Sequence, residues 1–110
     1  MPVLAYCVTE TEPEIRAPRV GVGEAEIKVL HESGLRCFLS DFTDQLPVQG
    51  KSNSGPALAF GRVLREIFQQ VAVIPFCFPT ILSSEAEIAD FVREHAAEYR
   101  GDLSRLRRSV

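Results

Sequence analysis

The chain of 110 residues has little of the material from which catalytic and metal sites are built. It contains no tryptophan, two histidines and three cysteines, and no two cysteines form a CxxC pair. A catalytic histidine needs a nucleophile or a carboxylate pair within reach, and zinc sites group their ligands at short spacings. We therefore expect a protein that is not an enzyme, with no catalytic residues, no cofactor and no metal.

Basic clusters and long apolar runs are also scarce. Lys and Arg number 12 against 15 Asp and Glu, the net charge is −3, and the basic residues cluster only at Arg105, Arg107 and Arg108. This pattern lacks the electrostatic footprint of a nucleic-acid-binding protein. The longest apolar stretch, Val71 to Phe78, is far below the roughly 20 residues of a membrane span. We expect one cytoplasmic domain over residues 1–110 that binds neither nucleic acid nor membrane.

The individual candidates for chemistry each have a simpler structural explanation. Cys7, Cys37 and Cys77 lie in apolar runs and are expected to be buried free thiols. His31 ends a predicted strand as a surface histidine. His95 lies on an apolar helical stripe, and Tyr99 occupies the position four residues on where a helical metal site needs its second ligand. Neither histidine therefore indicates a site.

Loop residues give equally weak signals. Gly21 and Gly23 form a turn, because neither a leading strand nor a following helix makes a dinucleotide motif of them. The remaining polar candidates are the turn carboxylates Asp41 and Asp44, and Arg16 and Arg19 in a proline-interrupted segment. Ser52 and Ser54 do not form a phosphate-binding loop, because Lys51 precedes them and is in the wrong place for such a loop. An acylphosphatase-like anion loop would need a positioned asparagine beside those arginines, so that reading is disfavoured.

Strand signals dominate the first part of the chain. The strand predicted at Val3 to Thr9 is apolar in both alternating sets from Val3 to Val8, which predicts a central strand covered on both faces. Glu26 to His31 and Leu35 to Phe42, joined by the turn Glu32 to Gly34, predict a β-hairpin. Leu46 to Gly55 is rich in polar and turn-forming residues and is expected to be an exposed loop.

Helix signals dominate the second part. Asn53 or Ser54 is expected to cap a helix with Pro56 in its first turn; its core stripe comprises Phe60, Val63, Leu64, Ile67, Phe68 and Val71. Gly61 marks either a close backbone approach or simple tolerance. Ser84 and Glu87 form a capping box that opens a long final helix, which Gly101 is expected to divide. The exposed acidic residues there, which favour solubility or a basic partner, are Glu85, Glu87, Asp90, Glu94 and Glu98.

Between the helices, Val71 to Phe78 predicts a core strand. Pro75 and Pro79 bracket its second half and lack backbone donors, so this strand is expected where some amide positions need no partner. The order β, ββ hairpin, α, β, α predicts an α+β, ferredoxin-like open sandwich: a mainly antiparallel sheet with two helices on one face. The closing strand is lacking, so we expect either a truncated chain or an open sheet edge that a partner, or a second copy in a homodimer, completes.

Several segments resemble the GvpL/GvpF family of gas vesicle synthesis proteins. They are Leu4–Val8, Ala57–Phe68, Val73–Phe78, Ser84–Ile88 and Leu103–Leu106. The resemblance implies a ferredoxin-like domain like the N-terminal domain of that family, which a second, largely helical domain follows. It departs from the family at Cys77, where a basic residue is usual, and near Phe60 or Gly61, where a histidine is common.

The function that the resemblance implies is that of a non-catalytic accessory protein. Such a protein is expected to bind the gas vesicle shell protein and other accessory proteins, and to be associated with gas vesicles in the cytoplasm. The alternative is a small-ligand-binding regulatory domain with a ferredoxin-like fold, an argument from fold analogy alone.

Overall fold

The computed structural model describes residues 2–11, 15–16, 18–42, 54–77 and 80–108. Its strands are β1 (Val3–Glu10), β2 (Lys28–Glu32), β3 (Leu35–Asp41), β4 (Ile74–Pro75) and β5 (Ile81–Leu82). Its α-helices are α1 (Ser54–Phe68), α2 (Glu85–Glu94) and α3 (Ala96–Arg108), and a 3₁₀ turn spans Val22–Glu24. Most of the predicted loop from Leu46 to Gly55, with Asp44, Lys51 and Ser52, lies outside the described residues.

The sheet is open and antiparallel, with β1 at its centre. The strand order is β2-β3-β1-β4, and β5 also pairs with β1. All residues from Val3 to Thr9 are buried. A strand flanked by neighbours and covered above and below has no polar face, which explains why both alternating residue sets of β1 are apolar. The prediction for this strand is confirmed.

The hairpin of β2 and β3 is also confirmed, with Glu32 opposite Leu35 at its closed end. The two turn residues, Ser33 and Gly34, have φ values of 54° and 78°. Positive φ at both central residues defines the turn that matches the twist of a two-residue hairpin. Glycine adopts this conformation freely, whereas serine does so at a cost.

Replacing Ser33 by Asn should therefore raise the free energy of unfolding by about 0.5–1 kcal/mol, because Asn tolerates the left-handed region better. Urea unfolding measures the change. Gly34→Ala is the control with the opposite expected effect. It should lower the free energy of unfolding by about 1 kcal/mol or more. A Cβ at Gly34 meets no atom within 4 Å, so that loss would come from the backbone alone. A destabilised Ser33→Asn variant would contradict this account of the turn.

The buried side chains fall into two clusters on opposite faces of the sheet. One joins α2 and α3 to the sheet and contains Val3, Ala5, Val8, Leu35, Cys37, Leu39, Ile88, Val92, Ala96 and Leu103. The other joins α1 and the 3₁₀ turn to the sheet and contains Leu4, Tyr6, Cys7, Val22, Phe38, Phe60, Val63, Ile67 and Val73. The prediction that the helices cover one face is therefore wrong: they form separate layers above and below the sheet.

An irregularity in β1 shapes both clusters. The register between β1 and β3 shifts between Ala5 and Cys7. Tyr6 and Cys7 consequently belong to the same cluster, although they are neighbours in sequence. Such a bulge inserts an extra residue, and the alternation of faces resumes one residue later. Val8 therefore returns to the face of Ala5.

The predicted strand from Val71 to Phe78 is shorter and lies at the sheet edge. Only Ile74 and Pro75 are in β4, and Val73 is buried while Phe76 is half-buried. The Phe76 N–H donates to the Tyr6 carbonyl, so the nitrogen of Pro75 faces away from β1. The expectation that a proline occupies a position needing no donor is confirmed at Pro75, and Pro79 lies outside the described residues.

The final helical region divides at His95, not at Gly101 as predicted. Ser84 caps α2 by accepting from the Glu87 N–H at 3.3 Å, as predicted. The Glu87 carboxylate reaches back to the Ser83 N–H, one residue before the cap. His95 ends α2 with φ −108° and ψ 10°, and Gly101 lies within α3.

Candidate docking surface

The two histidines are not brought together. His31 lies exposed in β2 at one sheet edge. The His95 ring stacks on Phe91 with a centroid distance of 4.4 Å, and its Nδ1 donates to the Phe91 carbonyl at 2.9 Å. This nitrogen carries the proton, because a carbonyl only accepts. His95 thus has the packing role that the sequence predicts.

The polar candidates Asp41 and Arg16 also make contacts that hold the fold together. Lys28 donates to both oxygens of Asp41, at 3.3 and 3.2 Å, and these hydrogen bonds raise the pKa of Lys28. The Arg16 backbone is held by Gln70, whose amide accepts from its N–H and donates to its carbonyl. Within the described part of the chain, no group of three or more His, Cys, Asp or Glu could hold a metal ion. No helix in that part is long and apolar enough to cross a bilayer.

The cysteines differ in accessibility. Cys7 and Cys37 are buried free thiols, as predicted, whereas Cys77 is exposed, contrary to the prediction. Cys77 follows the short edge strand β4, where the chain has left the core. Burial raises the pKa of the Cys37 thiol to about 12 and raises that of Cys7 further.

Thiol labelling should therefore separate the three cysteines. We expect Cys77 to react rapidly with a disulfide reagent in the native protein, and Cys7 and Cys37 to react only after unfolding. The number of thiols modified before and after denaturant gives the result. A Cys77→Ser variant should show no fast phase, and a fast phase that persists in it would contradict the burial of the other two.

The same two thiols give the stability a pH dependence. Their folded pKa values lie above the unfolded value, so their contribution is complete below about pH 8.5 and is lost as the pH rises. We expect the free energy of unfolding to fall by about 1 kcal/mol per thiol for each pH unit above about 8.5. Urea unfolding between about pH 7 and pH 9.5 measures the slope. A Cys7→Ala/Cys37→Ala variant should flatten it, and an unchanged slope in that variant would contradict the assignment.

The inner side of α1 is fixed to the sheet through Tyr6. The Phe60 ring stacks on Tyr6 with a centroid distance of 5.2 Å, and Val63 and Ile67 are buried alongside it. The Tyr6 hydroxyl lies 2.8 Å from Ser40 Oγ and accepts from the Val22 N–H at 3.0 Å. Burial raises the pKa of Tyr6. These contacts leave the opposite side of α1 facing outward.

That side, the α1 outer surface, comprises Leu58, Gly61, Arg62, Arg65 and Phe68. All five residues are exposed, and Leu58 and Phe68 remain 65% and 64% accessible. Leu58, Gly61, Arg65 and Phe68 follow one another at intervals of three and four residues, so they share one helical face. The prediction that placed Phe68 in the core stripe is wrong. Leu58 and Phe68 lie at opposite ends of this face, so they give it two separate apolar contact points with an arginine between them.

A groove borders this surface. It has a volume of about 470 Å³ and lies between residues 18–23 and α1. Arg19 and Val20 line one wall, Arg62 and Glu66 line the other, and Val20 is 54% exposed. The groove therefore extends the apolar and basic character of the α1 outer surface. The sequence did not predict that residues 18–23 lie beside α1, because the two segments are far apart along the chain.

Charges are arranged differently on the two helical layers. On the layer of α2 and α3, Asp90 pairs with Arg93, Asp102 with Arg105, and Glu85 with Lys28. On the other layer, Arg62 and Arg65 form no ion pair with any residue that the structure describes. The acidic side predicted from the sequence is thus partly neutralised within the chain, whereas Arg62 and Arg65 of the α1 outer surface form no ion pair within the described ranges.

These features describe an α/β protein with an antiparallel sheet between helical layers and an exposed, basic and apolar helical surface. The family model of the gas vesicle synthesis protein GvpL/GvpF matches residues 2–110. The chain therefore belongs to the GvpL/GvpF family, and the resemblance seen in the sequence is confirmed. No curated protein and no solved structure matches the chain.

Proposed function

We propose that this chain is a non-catalytic accessory protein of gas vesicle formation that binds the vesicle shell protein and other accessory proteins. The family match over residues 2–110 carries the proposal. The α1 outer surface supports it, because exposed Leu58 and Phe68 offer apolar area to a partner.

The physical task suits such a surface. A small hydrophobic shell protein must be kept from uncontrolled association until it is added to the vesicle. A helix that presents apolar side chains with flanking charge can cover an apolar helix reversibly, since the charges set orientation and the apolar contacts supply affinity. We also propose that residues 1–110 act as one domain resembling the family's N-terminal domain, associated with gas vesicles in the cytoplasm.

Co-expression with the shell protein tests the function. The tagged chain and the untagged shell protein, produced together, should purify as a complex that survives gel filtration at micromolar concentration. An unrelated protein carrying the same tag serves as the control for non-specific retention of a hydrophobic chain. Failure of the shell protein to co-purify above that control would contradict the proposal.

A small-ligand regulatory role has one observation in its favour, the groove between residues 18–23 and α1. A ligand at 100 times its dissociation constant would stabilise the fold by about 2.7 kcal/mol, which a thermal-shift screen would detect. The groove meets the α1 outer surface at Arg62 and has an arginine on each wall, Arg19 and Arg62. The arginines would bind the carboxylates of a protein partner or a small anion. Because the family match supports gas vesicle synthesis, we favour the assembly role.

A further inference from the structure

We infer that the α1 outer surface docks an amphipathic helix whose apolar stripe is flanked by carboxylates. The inference rests on the proposed function, since it names the kind of partner segment that the surface takes. Leu58 and Phe68 stand at the two ends of the surface and are 65% and 64% exposed. Together they give the face two apolar side chains that can contact a second helix at two separate positions.

Gly61, between them, indicates how closely the partner approaches. A Cβ built on Gly61 meets no atom of the described residues within 4 Å, so none of their contacts requires glycine there. Glycine in a helix interior is unfavourable, and at Gly61 it lies on the same exposed face as Leu58 and Arg65, where it permits a second backbone to come close. The missing side chain at Gly61, between Leu58 and Arg65 on this face, leaves room for a small residue of a second helix.

The arginines of the surface indicate the charge of the partner. Arg62 and Arg65 lie on the surface without an acidic partner among the described residues, and Arg19 lines the adjoining groove. Glu66 is the acidic side chain in the same groove. Carboxylates beside the partner's apolar stripe would pair with these guanidinium groups, while lysines there would be repelled. A carboxylate-bearing helix is therefore the occupant.

A synthetic helical peptide tests the surface directly. The probe is a fluorescent peptide of about 18 residues that has a stripe of Leu and Ala flanked by Glu. A control peptide has Lys in place of each Glu. Fluorescence anisotropy should show that the wild-type chain binds the Glu peptide at least about tenfold more tightly than the Lys peptide. Equal binding of the two peptides, or none, would overturn the inference.

Two matched pairs of variants locate the binding. Arg65→Glu should weaken binding of the Glu peptide by about tenfold or more, whereas Arg100→Glu on α3, with the same change of charge, should alter it less than about twofold. Gly61→Leu should raise the melting temperature, as Gly101→Leu should, because leucine favours a helix more than glycine does. Only Gly61→Leu should weaken binding. A stabilised variant that binds less cannot owe the loss to misfolding.

The outcomes separate this inference from the proposed function. If the shell protein co-purifies equally well with wild type, Arg65→Glu and Gly61→Leu, the assembly role stands and the docking surface is wrong. If the Glu peptide binds as described but the shell protein does not co-purify, the surface stands and the proposed partner is wrong. A loss of folding on replacing Leu58 by Ser would mean that the chain itself covers the surface, and would also overturn the inference.

Discussion

Val92→Asp is expected to unfold most of the protein, with a loss of more than about 4 kcal/mol. Val92 is completely buried in the cluster between α2, α3 and the sheet. An aspartate there would place a charge among apolar side chains, and the lost valine would leave a cavity as well. Domains of this size are stable by only about 5–15 kcal/mol, so the change takes a large share of the total. Circular dichroism with urea unfolding measures it.

Ala97→Asp is the matched control on the same helical region. Ala97 is exposed in α3, so its replacement should cost no more than about 1 kcal/mol, mainly in helix propensity. A Val92→Asp variant that unfolds cooperatively within about 1 kcal/mol of wild type would mean that α2 does not cover the sheet. The placement of helices on both faces would then be wrong.

Gly21→Ala should cost about 2–3 kcal/mol, although Gly21 lies outside the sheet and the α-helices. A Cβ at this position would lie 2.3 Å from the Tyr6 hydroxyl and 2.6 Å from Ile27 Cδ1. The Tyr6 hydroxyl cannot withdraw without leaving its contacts with Ser40 and the Val22 N–H. The close approach of the backbone at Gly21 is therefore what lets the Tyr6 network form.

A double-mutant cycle with Tyr6→Phe isolates this contact. Tyr6→Phe alone should cost about 2 kcal/mol, because it leaves two buried polar groups unpaired. In that background Gly21→Ala should cost at least about 0.5 kcal/mol less, because the hydroxyl nearest the new Cβ is gone. Urea unfolding of the four proteins gives the coupling energy. Strict additivity of the two losses would contradict the contact between Gly21 and Tyr6.

Local signals in the sequence predicted several elements well. The double apolar alternation of β1, the turn at Ser33 and Gly34, and the helix with Pro56 in its first turn all agree with the structure. Each depends on chemistry within a few residues: the pleat of a strand, the positive φ of a turn, or a proline in the first turn of a helix. The proline in Val71 to Phe78 likewise predicted a position without a donor requirement, which the sheet edge supplies at Pro75.

The layer arrangement depended on contacts that no local pattern specifies. Two helices with one apolar stripe each fit either one face of a sheet or both. The all-apolar β1 already pointed to cover on both faces, and the bulge near Tyr6 redistributed its side chains in a way that alternation alone does not predict. The break at His95 was missed because its stacking on Phe91 and Tyr99 is a packing effect.

The α1 outer surface was missed for a related reason. Phe68 fits the core stripe of α1 by spacing, yet it is the last residue of the helix and is exposed. Leu58, Gly61 and Arg65 share its face at intervals of three and four residues, a second stripe that was visible in the sequence. Only the burial of Phe60, Val63 and Ile67 shows which stripe faces inward.

Hydrogen exchange of the chain alone and in complex with the shell protein tests the central claim most directly. If the α1 outer surface is the docking site, amides of Leu58 to Phe68 should gain protection in the complex, because docking suppresses opening of that helix. Amides of α2 and α3 should change little. Protection confined to α2, α3 or the β2 edge, with α1 unchanged, would contradict the account.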